Sequence, residues 1–139
     1  MRFPSLLLAA AFVLGAPPAL ACSCRCQADA AAFVREVPIF FRGRPVAETV
    51  EGAVRSYSFA VSVVHKGDAM QQALVKTPAE SAACGVQFVL DREALVGVRP
   101  SADGLHVNSC TQFCIAQKQA EIEALLARCV RGAPCPPER

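Results

Sequence analysis

The sequence predicts a small all-β domain, a barrel or a sandwich, that is followed by one amphipathic helix and stapled by disulfides. Several short apolar runs are separated by turn residues with no helix between them, which indicates five or more strands around one core. After Cys110 the spacing of the apolar residues becomes that of a helix. Eight cysteines in an exported chain of 139 residues indicate four disulfides.

The export signal is predicted over residues 1–21. A short charged start precedes an almost wholly apolar run over residues 5–14, which is too short for a helix that spans a bilayer. Helix-breaking residues follow, and Ala19 and Ala21 supply the small side chains that a signal peptidase recognises. Cleavage after Ala21 makes Cys22 the first residue of the mature protein.

The mature chain is expected to form one domain over residues 22–135, with a loose tail over residues 136–139. The signal carries one of the 14 basic residues and none of the 12 acidic residues, so the mature formal charge is +1. This balance gives no electrostatic reason to expect nucleic acid or an anionic membrane as a partner. We expect a secreted protein, extracellular or periplasmic, whose cysteines form disulfides and hold no metal of its own.

The first part of the domain predicts a short helix and at least one strand. Residues 28–35 are rich in alanine with an aspartate near their start, which favours a helix. Residues 37–41 have the composition of a buried strand, which Pro38 confines to a strand start or a sheet edge. That strand is expected to end within residues 42–45, and residues 46–52 to form a loop or a short strand.

The clearest predicted strand covers residues 54–64. Apolar and small polar residues alternate there with period two, which indicates one buried face and one wetter face. The predicted buried face consists of Tyr57, Phe59, Val61 and Val63. Lys66 and the arginines at positions 42, 44 and 55 are expected on a solvated surface, and both histidines, His65 and His106, are expected to be structural or surface residues.

Shorter strands and one helix complete the predicted domain. A strand over residues 73–76 leads to a loop of small residues over 79–83, and three more strands are predicted over residues 86–90, 94–98 and 105–107. From Ile115 the apolar residues recur at helical spacing until Gly132 and Pro134 end the pattern. Cys129 falls on the apolar face of this helix, so its sulfur is expected to point toward the domain.

Four segments, in order, resemble the N-terminal domain of the tissue inhibitors of metalloproteinases. They are the mature start Cys22-Ser23-Cys24, the strand end Val64-His65-Lys66-Gly67, the run Thr77-Pro78-Ala79-Glu80-Ser81-Ala82-Ala83-Cys84-Gly85, and the stretch Gly104-Leu105-His106-Val107-Asn108-Ser109-Cys110. The resemblance implies a small closed OB-fold barrel of the netrin-like type with about five strands. It also implies two disulfides, Cys22–Cys84 and Cys24–Cys110. The third cysteine, Cys26, lies closer to the first two than it does in the family.

The resemblance further implies a function, which is the inhibition of zinc metalloendopeptidases. In the family, the α-amine and carbonyl oxygen of the first residue, here Cys22, chelate the catalytic zinc of the target. The side chain of the second residue, here Ser23, enters the specificity pocket beside that zinc. A contact ridge flanks these two residues and corresponds here to Ser81, Ala82, Ala83 and Cys84.

Elementary chemistry agrees with this implied role. A catalytic zinc keeps one coordination position open for water, and a bidentate donor of nitrogen and oxygen can displace that water. A free α-amine titrates at about pH 8, so the unprotonated form is accessible at neutral pH. A disulfide at the chelating residue would hold it rigidly and reduce the entropy lost on binding.

The other four cysteines are Cys26, Cys114, Cys129 and Cys135. One continuous helix would hold the Cα atoms of Cys114 and Cys129 about 22 Å apart, whereas a disulfide tolerates about 7 Å. The implied bond between Cys24 and Cys110 would bring Cys26 close to Cys114. We therefore predict Cys26–Cys114 and Cys129–Cys135. The alternative, Cys26–Cys135 with Cys114–Cys129, requires a broken helix, and the run contains no glycine or proline to break it.

Two other functions remain open. Barrels of this kind support many binding activities, so the chain is also compatible with a netrin-like module that binds a protein or a polysaccharide and inhibits nothing. Residues 20–22 are also close to a lipoprotein cleavage pattern, and acylation of Cys22 would block both its thiol and its amine. Lipid anchoring and zinc chelation therefore exclude each other. The sequence shows no nucleophile–base pair, phosphate loop or metal-ligand spacing, so we do not expect an enzyme.

Overall fold

The computed structural model describes residues 22–129 and 133–136. The predicted export signal, the helix end at Gly132 and residues 137–139 of the predicted tail lie outside the described residues. In chain order the elements are α1 (Ala30–Glu36), β1 (Ile39–Glu51), β2 (Val54–Lys66), β3 (Gln72–Pro78), a 3₁₀ turn (Ser81–Ala83), β4 (Ala94–Ser101), β5 (Gly104–His106), α2 (Ser109–Gln117) and α3 (Gln119–Leu126).

The five strands form one sheet in the order β1-β2-β3-β5-β4. Neighbouring strands are antiparallel except for the parallel pair of β3 and β5. β4 also pairs with the first residues of β1, so each strand of the sheet has two neighbours. The predicted class, a β-rich domain with helix at its C-terminal end and several disulfides, is confirmed.

Two buried clusters lie on opposite sides of β1. The neighbouring residues Phe40 and Phe41 point to opposite faces of the strand, as successive side chains in a strand do. Phe40 packs with the three helices, and its ring centroid is 6.1 Å from that of Phe33. Phe41 belongs to the cluster on the other face, where its ring centroid is 5.4 Å from that of Phe59. The helices therefore pack on one face of the sheet, and the second cluster lies on its other face.

β1 is much longer than predicted. The sequence predicts a strand end within residues 42–45 and a separate loop or short strand over residues 46–52. In the structure β1 continues to Glu51. Gly43 allows close packing of β2, since a Cβ atom there would lie 2.7 Å from the carbonyl oxygen of Ala60. Pro45 lies beside a register shift, and such bulges tolerate a residue without an amide hydrogen. Pairing with β2 therefore outweighs two residues that usually end strands.

β2 confirms the predicted alternation only in part. Tyr57 and Phe59 are buried as predicted, but Val63 is 45 % exposed. The register passes from Val61 to Val63 between two adjacent residues of β1, which makes Ser62 the extra residue of a bulge. The bulge shifts the phase of the alternation, so the end of the strand presents a different set of side chains to the core.

The prediction of a strand over residues 86–90 is wrong. This segment has no regular secondary structure, and side chains of the sheet satisfy two of its amides. The amide of Val86 donates to Thr77 Oγ1 at 3.0 Å, and the amide of Phe88 donates to the Tyr57 hydroxyl at 3.1 Å. Val86 and Phe88 pack onto the sheet core without a strand partner, whereas Val89 and Leu90 are exposed.

The single predicted C-terminal helix is in fact two helices. α2 begins at Ser109, before the predicted start at Ile115, because the Asn108 side chain caps it by accepting from the Thr111 amide at 2.9 Å. Lys118 has φ −126° and ψ 28°, which ends α2 and starts α3. The break occurs without glycine or proline, so their absence from the run did not guarantee a continuous helix.

Three of the four basic residues expected on a solvated surface are partly buried, and Arg44 alone of the four is exposed. Lys66 extends to the C-terminal end of α1, where its Nζ donates to the carbonyl oxygens of Val34 at 2.6 Å and Val37 at 2.8 Å. A cation at this end of a helix satisfies carbonyl groups that lack partners within the helix. Lys66 therefore joins the end of β2 to α1.

Candidate functional site

The structure contains four disulfides, Cys22–Cys84, Cys24–Cys110, Cys26–Cys114 and Cys129–Cys135. These are the pairs stated in the sequence analysis, and no free cysteine remains among the described residues. The first three attach the N-terminal segment, residues 22–27, to the body of the domain at Cα–Cα distances of 5.4, 5.0 and 5.4 Å. This segment has no regular secondary structure, so the disulfides are its main attachment.

The N-terminal segment presents every second side chain to solvent. Its three cysteines are half-buried, whereas Ser23, Arg25 and Gln27 are exposed. This alternation is that of an extended chain, in which successive side chains point to opposite sides. Ser23 is therefore accessible to another molecule. Arg25 and Gln27 lie on the same exposed side as Ser23. The sequence analysis assigned them no role, although their alternation with the cysteines of the Cys-x-Cys-x-Cys motif indicates that they face away from the disulfides.

The contact ridge, residues 81–84, is a short 3₁₀ turn rather than an irregular loop. The side chains of Ser81, Ala82 and Ala83 are all exposed. Cys84 has φ +66°, and its amide donates to the Ser81 carbonyl oxygen at 3.0 Å. The turn is compact because Gly85 follows it, where a Cβ atom would lie 2.1 Å from a backbone oxygen of the preceding chain.

The structure brings Cys22, Ser23 and the ridge together at one edge of the domain. The Cα atoms of Cys22 and Cys84 are 5.4 Å apart through their disulfide. The amide of Ser109 donates to the Cys84 carbonyl oxygen at 2.8 Å, and the next residue, Cys110, is the disulfide partner of Cys24. The start of α2 is therefore joined to both the ridge and the N-terminal segment.

A shallow cleft lies beside the N-terminal segment and is lined by Arg25, Gln27, Glu36 and Arg99 among others. Arg99 donates to the carboxylate and to the carbonyl oxygen of Glu36, both at 3.0 Å, and Gln27 also donates to that carboxylate. The charge of Glu36 is thus balanced. Within the described chain Arg25 has no ion-pair partner, so it contributes a positive charge beside Ser23.

Of the two histidines, only His106 has a side-chain partner; Nε2 of His65 is buried and has no hydrogen-bond partner among the described residues. His106 Nε2 lies 2.6 Å from Asp103 Oδ1, and hydrogen bonds from His106, Lys76 and Ser101 hold the pKa of Asp103 far below its usual range. Burial and the nearby Arg42 guanidinium lower the pKa of His65, which favours the neutral imidazole. Neither residue is part of the ridge or of the N-terminal segment.

No family model matches the chain, and no curated protein matches it significantly in sequence. Across the described residues, no group of three or more histidine, cysteine, aspartate or glutamate side chains is arranged to hold a metal ion. The helices of the described chain include none with the length and apolar character needed to cross a membrane. Four disulfides are compatible with an oxidising location outside the cytosol.

Proposed function

We propose that the protein is a secreted inhibitor of zinc metalloendopeptidases, distantly related to the tissue inhibitors of metalloproteinases, that acts through a mature N-terminus at Cys22. Removal of residues 1–21 would free the Cys22 α-amine. This amine and the Cys22 carbonyl oxygen would then replace the water on the catalytic zinc of the target. The zinc belongs to the target protease, and the inhibitor itself contributes a nitrogen and an oxygen donor.

One observation carries this proposal, which is the disulfide that joins Cys22 to the exposed ridge at Cys84. A chelating residue on a free chain end would lose much conformational entropy when it binds. Here the Cys22–Cys84 bond and the two disulfides that follow it, at Cys24 and Cys26, restrain the segment before any target arrives. The cost of ordering the donor is therefore already met in the free protein.

The side chains around Cys22 suit close approach to the rim of an active-site cleft. Ser81, Ala82 and Ala83 are exposed and small, so a target backbone can lie near the ridge. Ser23 is exposed beside Cys22 and offers one hydroxyl to a pocket. We also propose that the sheet is a closed OB-fold barrel of the netrin-like type, because β4 pairs with both β5 and β1.

The second candidate is a netrin-like module that binds a protein or a polysaccharide without inhibiting a protease. The small side chains of the ridge favour it, since the ridge contains no large apolar residue to anchor a target. A lipoprotein anchored at Cys22 is the variant of this candidate in which the amine is blocked. The two candidates differ in one requirement, because only the inhibitor needs a free amine at Cys22.

Competition with a small zinc-chelating ligand tests the proposed function. The exported protein is assayed against a panel of zinc endopeptidases, and the inhibition constant is measured at several concentrations of a hydroxamate that occupies the catalytic zinc. Chelation by Cys22 predicts mutually exclusive binding, so apparent inhibition weakens in proportion to hydroxamate occupancy. Inhibition that is independent of the hydroxamate would reject chelation, and the absence of inhibition across the panel would favour the binding module.

A further inference from the structure

One edge of β1 is unpaired over half of the strand. β2 runs alongside β1 as far as Glu51, but β4 pairs only with residues Ile39 to Gly43 on the opposite edge. At Pro45 the edge of β1 that faces β4 is occupied, because the Asp91 amide donates to the Pro45 carbonyl oxygen at 2.9 Å. Beyond it, no other strand of the described chain pairs with residues 46–51, which we call the free edge.

The free edge has few of the features that protect sheet edges from association. An unpaired strand edge presents a row of backbone donors and acceptors to other chains, and proteins usually block it with lysine, proline, a bulge or a covering element. Pro45 and the adjacent bulge block only its beginning. The six residues that follow, Val-Ala-Glu-Thr-Val-Glu, are all exposed and include no proline, glycine or lysine.

The face next to the free edge is apolar at its surface. Val46 is 51 % exposed and Leu74 is 54 % exposed. Together with Ser58 and Ala60 they line a shallow groove that crosses β1, β2 and β3. A strand added to the free edge would extend this face and cover part of Val46, which adds apolar burial to the backbone hydrogen bonds.

The charges along the free edge favour a second copy of the same chain as the added strand. Arg44 precedes the edge and Glu51 ends it, and neither forms an ion pair within the described chain. Antiparallel pairing of two identical edges about a two-fold axis would bring Arg44 of each copy toward Glu51 of the other. Glu48, between them, is already paired with Arg55 of its own chain, which limits repulsion between the two copies.

We propose that two copies of this protein associate through their free edges, in antiparallel register and with two-fold symmetry. The two sheets would then form one continuous sheet, with an Arg44–Glu51 ion pair at each end of the shared edge. This association does not depend on the proposed inhibitory role.

Sedimentation equilibrium of the exported, fully oxidised protein tests the proposal in four variants. Arg44→Glu and Glu51→Arg each replace two attractions by two repulsions, so each should weaken the dimer about tenfold. The double variant Arg44→Glu/Glu51→Arg restores the opposite charges and should return the dissociation constant to near the original value. Glu121→Arg reverses an exposed charge on α3 and should leave the dissociation constant unchanged, which makes it the matched control.

Amide hydrogen exchange provides a second measurement on the unmodified protein. Exchange within residues 46–51 should slow as protein concentration rises, while exchange in exposed residues of α3 should not change. Circular dichroism of each variant verifies that the fold is retained. A protein that stays monomeric at millimolar concentration would overturn the proposal. A dimer that is insensitive to both single reversals, or is not restored by the double variant, would show that another surface associates and would also overturn it.

Discussion

Cys22 is bonded to Cys84, a residue in left-handed backbone conformation at the end of the exposed turn Ser81–Ala83. This bond places the proposed mature N-terminus against the contact ridge, although the two cysteines have a sequence separation of 62. The Ser109 amide donates to the Cys84 carbonyl oxygen, so the ridge is also connected to the start of α2. The bond therefore has both a stabilising and a positioning effect, and the two can be measured separately.

Removal of this disulfide should destabilise the protein more than removal of the disulfide near the C-terminus. Chain-entropy estimates give about 4 kcal/mol for a loop of this length, so the double variant Cys22→Ala/Cys84→Ala should lose roughly that free energy of unfolding. The control Cys129→Ala/Cys135→Ala opens a separation of only 6 residues and should lose about 2 kcal/mol. Denaturant unfolding measures both, and equal losses would contradict the loop-length argument.

Lys66 should stabilise the fold through its hydrogen bonds to the end of α1. Lys66→Met removes the donor to the carbonyl oxygens at the end of α1 and leaves partly buried acceptors unsatisfied. We expect a loss of about 1–3 kcal/mol in the free energy of unfolding. Lys118→Met serves as the control, because Lys118 donates to one carbonyl oxygen at an exposed site, and its loss should be smaller. An equal effect of the two substitutions would reject the helix-end role of Lys66.

His65 should make the stability depend on pH between pH 7 and 5. Burial lowers its pKa in the folded state below the ordinary value of about 6.5, and the Arg42 guanidinium acts in the same direction. The unfolded state therefore binds more protons as the pH falls through this window, and stability is lost. Denaturant unfolding at several pH values should show this loss, and His65→Gln should reduce it. An unchanged pH dependence in the variant would contradict the assignment to His65.

Much of the fold follows from local patterns in the sequence. The period-two alternation of β2 predicts a half-buried strand. Cys26 follows Cys24 closely and Cys114 follows Cys110 closely, so the Cys24–Cys110 disulfide brings Cys26 near Cys114. The first two pairs, Cys22–Cys84 and Cys24–Cys110, are implied by the family resemblance alone, and local spacing adds only the pair Cys26–Cys114. The exposure of Ser23 also follows, since a residue between two cysteines of an extended segment faces away from them.

The failures concern features that depend on contacts distant in sequence. β1 continues through Gly43 and Pro45 because β2 supplies a partner along its whole length, which no local pattern indicates. Within residues 86–90, Val86 and Phe88 pack onto the sheet core, but their amides donate to side chains of the sheet rather than to a neighbouring strand. Tertiary partners, rather than propensity, decide these two regions.

The exported protein should begin at an unmodified Cys22 and contain eight oxidised cysteines. Intact mass and N-terminal sequencing measure both properties, and thiol titration without denaturant should find no free cysteine. This result is expected because the described chain pairs every cysteine and because the proposed chelation needs a free amine. A diacylglyceryl group on Cys22 would exclude chelation and would identify the protein as a lipoprotein instead.

The most direct test of the proposed function moves the Cys22 amine by one residue. Addition of a single alanine before Cys22 replaces the amine by a peptide nitrogen, which is a poor zinc donor, and should leave the disulfides and the thermal unfolding midpoint unchanged. The control carries the added alanine at the C-terminal end of the chain. Inhibition constants of both forms and of the unmodified protein are measured against each zinc endopeptidase that the unmodified protein inhibits. Zinc chelation predicts that the N-terminal extension abolishes inhibition while the C-terminal extension retains it; equal inhibition by all three forms would contradict it.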